Sequence, residues 1–409
     1  MVYRKYKALK QWGKVNTLLF KQMLTARNKR SAPLFEVPEA LVEKGIEVHD
    51  PNDRNFLKPK EDFQVNHPAF REPTIKDHPL YKNQRAFLFE GNNPFSDGVD
   101  QACALIGATK PKSFTEELLK DKMTFPEDLE ERVKDGIMCG ERYDPTLVRL
   151  EKWHDPIIFW TIGQRFYGTP VEKRSQIILE QFYRQILLLS PKGHFSEDNV
   201  ADYNQSISAY LPADLFGAAM PAVFRLIAPT LIQRSVPVPL VATIDQVEAS
   251  KTEIVPDIYP ISPLIDLTKG KIYNDTTVVP RGILDLHLDT VFLTQPLRQK
   301  YPWTTEQNAA NAITSAFMLA LAQAHRHGQT DKLAKPIVAK AVQLDRGNVD
   351  LAVVQLNNLD LNDTEGVKNM VWLEKALPLY KPVKHIENLE KLDNVNVETF
   401  KKMANLLLY

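Results

Sequence analysis

The sequence predicts an α+β fold, a mixed α/β core with a β-hairpin and long covering helices, preceded by an extended N-terminal arm. Two runs rich in β-forming residues, 337–344 and 349–359, flank the short turn 345–348 and indicate a hairpin. Apolar residues occupy both alternating faces of the second run, which is typical of a strand covered on both sides. A helix-periodic segment follows the capping residue Thr304 and ends near Gly328. Its length of about 33 Å is enough to cross a sheet.

The hairpin turn and the polar loop after it are the most distinctive part of the sequence. Gly347 and Asn348 tolerate positive φ, so we expect them at the reversal of the chain. After the second strand, Asp360, Asp363 and Glu365 lie in one short loop. Their spacing is not that of an EF-hand loop, and turn or helix-entry chemistry explains them equally well. The loop is therefore either a carboxylate site or a turn that returns the chain to the sheet or to a neighbouring molecule.

The N-terminal segment is basic, whereas the rest of the chain is mildly acidic. Residues 1–35 contain nine Lys or Arg and no Asp or Glu, and the remaining residues have a net charge of −9. The segment lacks the long apolar core of a secretory signal and has an amphipathic helical pattern. Residues 1–30 are therefore predicted to be a mitochondrial targeting segment, cleaved near Arg30. The alternative is a basic arm that binds nucleic acid or an acidic partner.

Proline content and periodicity divide the rest of the chain into three regions. Residues 31–96 contain repeated X-Pro turn signals without a helical period, and they are predicted to form an extended proline-rich arm. Residues 97–242 are predicted to be mainly helical. Residues 243–409 are predicted to be a mixed α/β core, closed by a helix at 397–408 with one apolar side.

The predicted helical region has three recognisable parts. Thr169-Pro170-Val171-Glu172 has the pattern of a capping box and begins a helix that ends at Ser190. The apolar run 215–232 is interrupted by prolines and is predicted to be buried helix and turn. The segment 235–243 is predicted to be an edge strand or an extended link, because its prolines cannot donate to a ladder. A local aromatic cluster is expected in the core or, alternatively, as a base-stacking platform: Trp153, Phe159, Trp160, Phe166 and Tyr167.

A predicted strand within 274–293 carries a second set of polar residues. Asp285, His287 and Asp289 alternate with leucines, so they share one face of the strand. They could supply oxygen and nitrogen ligands to a metal ion. Alternation of this kind also arises on any strand surface that faces solvent or a partner, and that is the prediction we adopt.

The sequence predicts no catalytic, cofactor-binding or metal site. There is no phosphate-binding loop, dinucleotide glycine fingerprint, nucleophile elbow or HExxH zinc motif. Cys103 and Cys139 are too few for a disulfide framework or a four-ligand zinc site, and both are expected to be buried structural thiols. No stretch suggests a membrane span, because the most apolar run contains prolines and an arginine. We expect no cofactor and no small-molecule substrate.

Several segments together resemble one known family, the animal mitochondrial large-subunit ribosomal protein number thirty-seven. The resemblance is strong over residues 244–403 and local around 78–89. Its most specific part is the EGVKN core followed by Trp372. The segments that carry it are HPLYKNQ (78–84), IDQVEASK (244–251), IYPISPLIDL (258–267), FMLALAQA (317–324), VVQLNNLDLNDTEGVKNMVW (353–372) and ETFKKM (398–403).

The resemblance implies a structural constituent of the mitochondrial large ribosomal subunit, located in the matrix, that has no reaction of its own. It also implies the partners: large-subunit rRNA and other mitochondrial ribosomal proteins. Among these proteins is a related sister protein, formerly called small-subunit protein thirty. Because the body of the chain is acidic, we expect larger protein interfaces and only limited RNA contact.

Two alternatives to a ribosomal protein remain open. The first is a free RNA-binding factor that acts on mitochondrial transcripts. The second is a matrix enzyme that uses the carboxylates of the loop 360–365 or the polar strand face of residues 285–289.

Overall fold

A mixed sheet of eight strands forms the centre of the described part of His78–Tyr409. Its order is β4-β1-β3-β5-β6-β7-β8, and β2 pairs with β3. The pairs β1–β3 and β5–β6 are parallel, and the others are antiparallel. The strands are β1 Lys82–Glu90, β2 Val200–Leu211, β3 Ala222–Arg234, β4 Thr268–Ile272, β5 His287–Thr294, β6 Ile337–Asp345, β7 Asn348–Leu356 and β8 Met370–Pro378.

The computed structural model describes residues 14–28, 36–49, 74, 77, 82–91, 94–142, 144, 146–147, 167–190, 199–211, 221–258, 268–272, 285–294, 302–330, 332–381, 392 and 394–409. One unit, Met1–Asp77, contains helices α1 Lys14–Asn28 and α2 Glu39–Val42. The helices of the second unit are α3 Gly98–Leu105, α4 Glu116–Leu119, α5 Leu129–Glu141, α6 Val171–Leu189, α7 Ile244–Ala249, α8 Thr305–Arg326 and α9 Val397–Leu408. Helices and a mixed sheet together confirm the predicted α+β class.

Helix α8 covers one face of the sheet, and α3 packs against it. The predicted capping box is present: Gln307 N donates to Thr304 Oγ1 at 3.3 Å, and Thr304 N donates to Gln307 Oε1 at 3.0 Å. The helix ends at Arg326, and Gly328 follows with φ +71°. Small buried side chains on the helix and the strands beneath it allow close packing: Ala312, Ala316, Ala320, Ala339, Ala341 and Ala352.

Helices α5, α6 and α9 belong to a second hydrophobic cluster, which covers the opposite face of the sheet. Phe182 of α6 and Phe400 of α9 meet edge to face, with ring centroids 5.2 Å apart. Helix α9 has the predicted bounds, and Asn396 caps it by accepting a hydrogen bond from Glu398 N at 3.1 Å. The core is therefore a sheet between two helical layers.

Strands β6 and β7 form the predicted hairpin, with pairs running from Ile337↔Leu356 to Asp345↔Asn348. All of β7 except its first residue is buried, which confirms a strand covered on both sides. The positive φ values are at Arg346 (47°) and Gly347 (78°). The expected positive φ is therefore present at Gly347 and absent at Asn348. Asn348 already pairs with the preceding strand, so the two residues between the strands make the turn.

A buried ion cluster joins the sheet to the C-terminal helix. Lys340 Nζ, on β6, lies 2.9 Å from Asp289 Oδ1 and donates to the Leu406 carbonyl of α9 at 3.1 Å. Arg234 Nη1 lies 3.1 Å from Asp289 Oδ2, and the Thr290 hydroxyl also donates to Asp289. Lys340 is 0% exposed, and its burial lowers its pKa to about 8, against the opposing effect of Asp289. The ammonium thus connects two strands to the last turn of α9, where the Leu406 carbonyl also accepts a hydrogen bond from Tyr409 N at 3.3 Å.

The position of Asp289 contradicts the predicted solvated strand face. The β3–β5 register shifts between Ile232↔Thr290 and Gln233↔Leu288, so Asp289 is the extra residue of a bulge. Burial at a bulge is possible for this carboxylate because cations from both neighbouring strands reach it.

The run 215–232 was also predicted wrongly, since its described part belongs to strand β3 and not to a buried helix and turn. The ladders explain why a proline is tolerated there. β1 pairs with residues 222–225 and β5 with residues 230–234, so Pro229 falls between the two. The β2–β3 register passes from Ala228↔Gln205 to Thr230↔Tyr203, so Pro229 is outside the registered pairs of this ladder as well. The segment 235–243 forms the link to α7, without strand structure.

Three smaller expectations also differ from the structure. Pro170 occupies the N-cap of α6, and no side chain caps that terminus, so the predicted capping box is absent. Cys139 is exposed, whereas Cys103 is buried as expected. Strand β1 lies within the predicted arm 31–96 but is part of the sheet. The sequence did not reveal it because its apolar stretch is short.

The division into four regions remains a prediction.

Asp350 supports an irregularity in the edge strand β8. Its Oδ1 accepts a hydrogen bond from Ala376 N at 2.8 Å, and Ala376 has φ +51°. The β7–β8 register shifts at this point. Burial raises the pKa of Asp350 to about 7, and the nearby Asp345 and Glu306 act in the same direction.

Lys340→Met should lower the free energy of unfolding by about 3 kcal/mol, because it removes one of the two cations that pair with a buried carboxylate and one of the two donors to the Leu406 carbonyl. Urea unfolding followed by circular dichroism measures the change. Lys251→Met is the control, since the Lys251–Glu248 ion pair is exposed and its loss should change stability by less than about 0.5 kcal/mol. Equal urea midpoints for the two variants would contradict the assigned role of the cluster.

Asp350→Asn should flatten the pH dependence of stability. Because the pKa of Asp350 is raised in the folded state, its contribution is present at low pH and is lost as pH rises through about 7. As the pH rises from 5 to 8, the free energy of unfolding of the variant should increase relative to that of the parent by on the order of 2 kcal/mol. Asp245→Asn is the control, because Asp245 is an exposed carboxylate. The difference in unfolding free energy between this variant and the parent should not change with pH in this way. Parallel pH profiles for all three proteins would refute this assignment.

Candidate functional site: the signature platform

Three segments that are distant in the sequence converge at one end of the hairpin. We call residues 106–113, 240–258 and 355–372 the signature platform, because the last two contain segments that carry the resemblance and the third contains its most specific part. Gln355 Oε1 accepts hydrogen bonds from Val241 N at 3.0 Å and Ala242 N at 2.9 Å. Lys368 N donates to Ser250 Oγ at 3.0 Å. Side chain to backbone bonds therefore hold the segments together.

Asn369 is the central connection of the platform. Its Oδ1 accepts from Asn357 N at 2.8 Å and Asn358 N at 3.0 Å. Its Nδ2 donates to the Ile106 carbonyl at 2.7 Å and the Asn358 carbonyl at 3.1 Å. The backbone of Asn369 also pairs with Gly107 and Thr109. One buried amide at the end of the loop 357–369 thus satisfies polar backbone groups at the start of the loop and joins the loop to the chain after α3.

The carboxylates of the loop are used mainly to form turns. Asp363 Oδ1 accepts from Gly366 N at 2.7 Å and Glu365 N at 3.2 Å, and Asp360 Oδ1 accepts from Asn362 N at 3.0 Å. These are Asx-type interactions that fix a turn. A side chain at Gly366 would collide with the carboxylate of Asp363 and so would displace a group that fixes the turn. The loop returns the chain to β8 through these hydrogen bonds, which is the arrangement that the turn alternative predicts.

Asp285, His287 and Asp289 do not form a joint site. Asp289 is buried in the ion cluster, whereas His287 faces α8 and lies against Gln323. Gln323 Nε2 lies 3.1 Å from His287 Nδ1 and 2.8 Å from His327 Nε2. Burial, followed by the neighbouring His327, lowers the pKa of His287. Within the ranges that the structure describes, no group of three or more His, Cys, Asp or Glu side chains is arranged to hold a metal ion.

The outer surface of the platform combines acidic and apolar side chains. The three segments carry a net charge of −3. Ile244 is 79% exposed and Ile254 is 83% exposed, which is unusual for isoleucine. Exposed apolar side chains among carboxylates are typical of protein-binding surfaces, whereas RNA phosphates need basic side chains.

Sequence reasoning missed the residues that hold the platform together, chiefly Gln355 and Asn369. A cluster of Asn residues in a loop was a signal for turn chemistry, but Val241, bound by Gln355, and Ile106, bound by Asn369, lie more than 100 residues away. Of the predicted aromatic cluster, only Tyr167 falls within the described residues. The helices that are described include none long and apolar enough to cross a bilayer.

Asn369→Ala should lower the free energy of unfolding by about 2–3 kcal/mol, because it leaves two backbone amides and a buried carbonyl without partners. Urea denaturation measures the loss. Glu365→Ala is the matched control in the same loop, since the hydrogen bond of its backbone to Asp363 does not need the side chain. A platform that tolerates both substitutions equally would contradict the central role of Asn369.

Comparison with known proteins finds relatives of the chain among mitochondrial ribosomal proteins. The family model described as mitochondrial 28S ribosomal protein S30 (PDCD9) matches residues 295–408, which include α8, the hairpin, β8 and α9. The large ribosomal subunit protein mL37 of Rattus norvegicus is 27% identical over 379 residues, 88% of this chain and 82% of that protein. The Mus musculus protein is 28% identical over 84% of this chain and 80% of its own length. The Gallus gallus protein is 31% identical over 44% of this chain and 45% of its own length. The chain is therefore a homologue of the large ribosomal subunit protein mL37 and carries the region that the PDCD9 family model describes.

Proposed function

We propose that the chain is a structural constituent of the mitochondrial large ribosomal subunit, located in the matrix. The similarity to proteins with that name over most of the chain carries this proposal. The platform supports it independently, because its most specific sequence segments form a hydrogen-bonded framework beneath an exposed acidic and apolar surface. Such a surface suits a protein that acts by binding its neighbours.

The proposal includes no reaction of its own for the chain. Three carboxylates of the two sets that could have served a matrix enzyme are engaged by the fold itself. Asp289 pairs with Lys340 and Arg234 in the core, and Asp363 and Asp360 accept backbone hydrogen bonds. A catalytic carboxylate must instead reach a substrate within hydrogen-bond distance.

The proposed partners are mainly proteins, with localised contacts to large-subunit rRNA. The net charge of −9 outside residues 1–35 disfavours extensive phosphate contact, which depends on Lys and Arg. The related sister protein is one proposed neighbour. Residues 1–30 are proposed as the targeting segment, and α1 presents exposed apolar side chains at Leu19 and Met23 beside its basic residues.

Sedimentation of mitochondrial lysate tests the proposal. The chain should move with the large-subunit peak, in constant ratio to other large-subunit proteins, and should stay with it in moderate salt. Asn369→Ala should reduce its share in that peak, and Glu365→Ala should not.

The position of the chain in the gradient also separates the alternatives. A chain that stays near the top, and that moves after treatment with ribonuclease, would be a free RNA-binding factor. A chain near the top that is insensitive to ribonuclease would leave the ribosomal proposal without support and favour a matrix enzyme.

A further inference from the structure

A groove runs along one side of the signature platform. It consists of two adjoining cavities of about 780 and 510 Å³ that share Asp100 and Lys110 in their walls. The first is lined mainly by residues 252–258, and the second extends to α8 and β8. We call these two cavities together the acidic groove.

The charges of the acidic groove do not balance. Five carboxylates line it: Asp97, Asp100, Glu253, Asp257 and Glu306. Three ammonium groups line it: Lys110, Lys112 and Lys375. Lys112 pairs with Glu253 at 2.9 Å, and Lys375 pairs with Glu306. The remaining three carboxylates face one lysine, so the residues that line the groove carry a net charge of −2.

The groove also offers an apolar contact at its rim. Ile254 is 83% exposed, and Val255 and Ile258 line the same cavity. Pro256 restricts the backbone between them. Apolar surface from a partner would remove this exposed isoleucine from water, which favours binding. Lys and Arg side chains combine an aliphatic stem with a charged end, and so match both features of the wall.

We propose that the acidic groove binds a basic segment of a neighbouring ribosomal protein. The Lys or Arg heads of that segment pair with Asp100 and Asp257, and its aliphatic portions cover Ile254. An RNA strand does not fit this wall, because its phosphates would meet an excess of carboxylates. The inference rests on the proposed function, since it takes the partner from the same assembly.

Photo-crosslinking in assembled large subunits tests this. p-Benzoylphenylalanine in place of Ile254 should crosslink to another protein, at a peptide with Lys or Arg within a few residues of the attachment point. The double variant Asp100→Asn with Asp257→Asn should reduce the yield by at least about fivefold, because each pair at a rim contributes up to about 1 kcal/mol. Glu127→Gln with Asp135→Asn removes two exposed carboxylates outside both the platform and the groove and should leave the yield unchanged.

Each other outcome overturns the inference. A crosslink to rRNA would assign the groove to nucleic acid. The absence of a crosslink would leave the groove without a partner. Equal yields for the two double variants would show that the groove carboxylates do not recognise the bound segment. Sedimentation of the crosslinker-bearing chain, run first, distinguishes these results from failure of the proposed function, in which the chain would be missing from the large subunit.

Discussion

The buried ammonium of Lys340 is the interaction on which the core depends most. It lies on the central strand pair, faces Asp289 at a bulge, and supplies a donor to the last turn of α9. Removing a charge pair from water is expensive, so the cluster is favourable only when each member keeps its partners. This requirement ties the order of β3, β5 and β6 to the docking of the C-terminal helix. A change in any of the three strands would therefore alter how α9 packs against the sheet.

The signature platform at the surface also depends on buried polar groups that keep their partners. Its interior polar groups, above all the amide of Asn369, are satisfied by partners from segments far apart in the chain. Because those bonds form within the chain, the exposed residues of the loop and of α7 are positioned before any partner arrives. A surface ordered in advance loses less conformational entropy on binding than a flexible one. This is a physical reason why a protein without catalytic machinery would contain so specific a loop.

Local signals in the sequence predicted the helices α8 and α9 and the hairpin, because caps, periodicity and turn residues act over a few positions. Features that depend on distant partners were not predictable. The tolerance of Pro229 within β3 follows from where two other strands stop. Burial of Asp289 requires Lys340, fifty-one residues later, and the role of Asn369 requires Ile106. In the candidate site, sequence patterns located the loop but not the framework that holds it.

The central claim is that the platform is ordered by the chain itself and then covered by neighbours in the ribosome. Hydrogen–deuterium exchange of the free chain and of the chain within the large subunit tests this most directly. The amides of Asn357 and Asn358 should be protected in both states, whereas those of α7 and of residues 360–366 should gain protection only in the subunit. Rapid exchange at Asn357 and Asn358 in the free chain, or an unchanged exchange rate across α7 and the loop after assembly, would contradict the account.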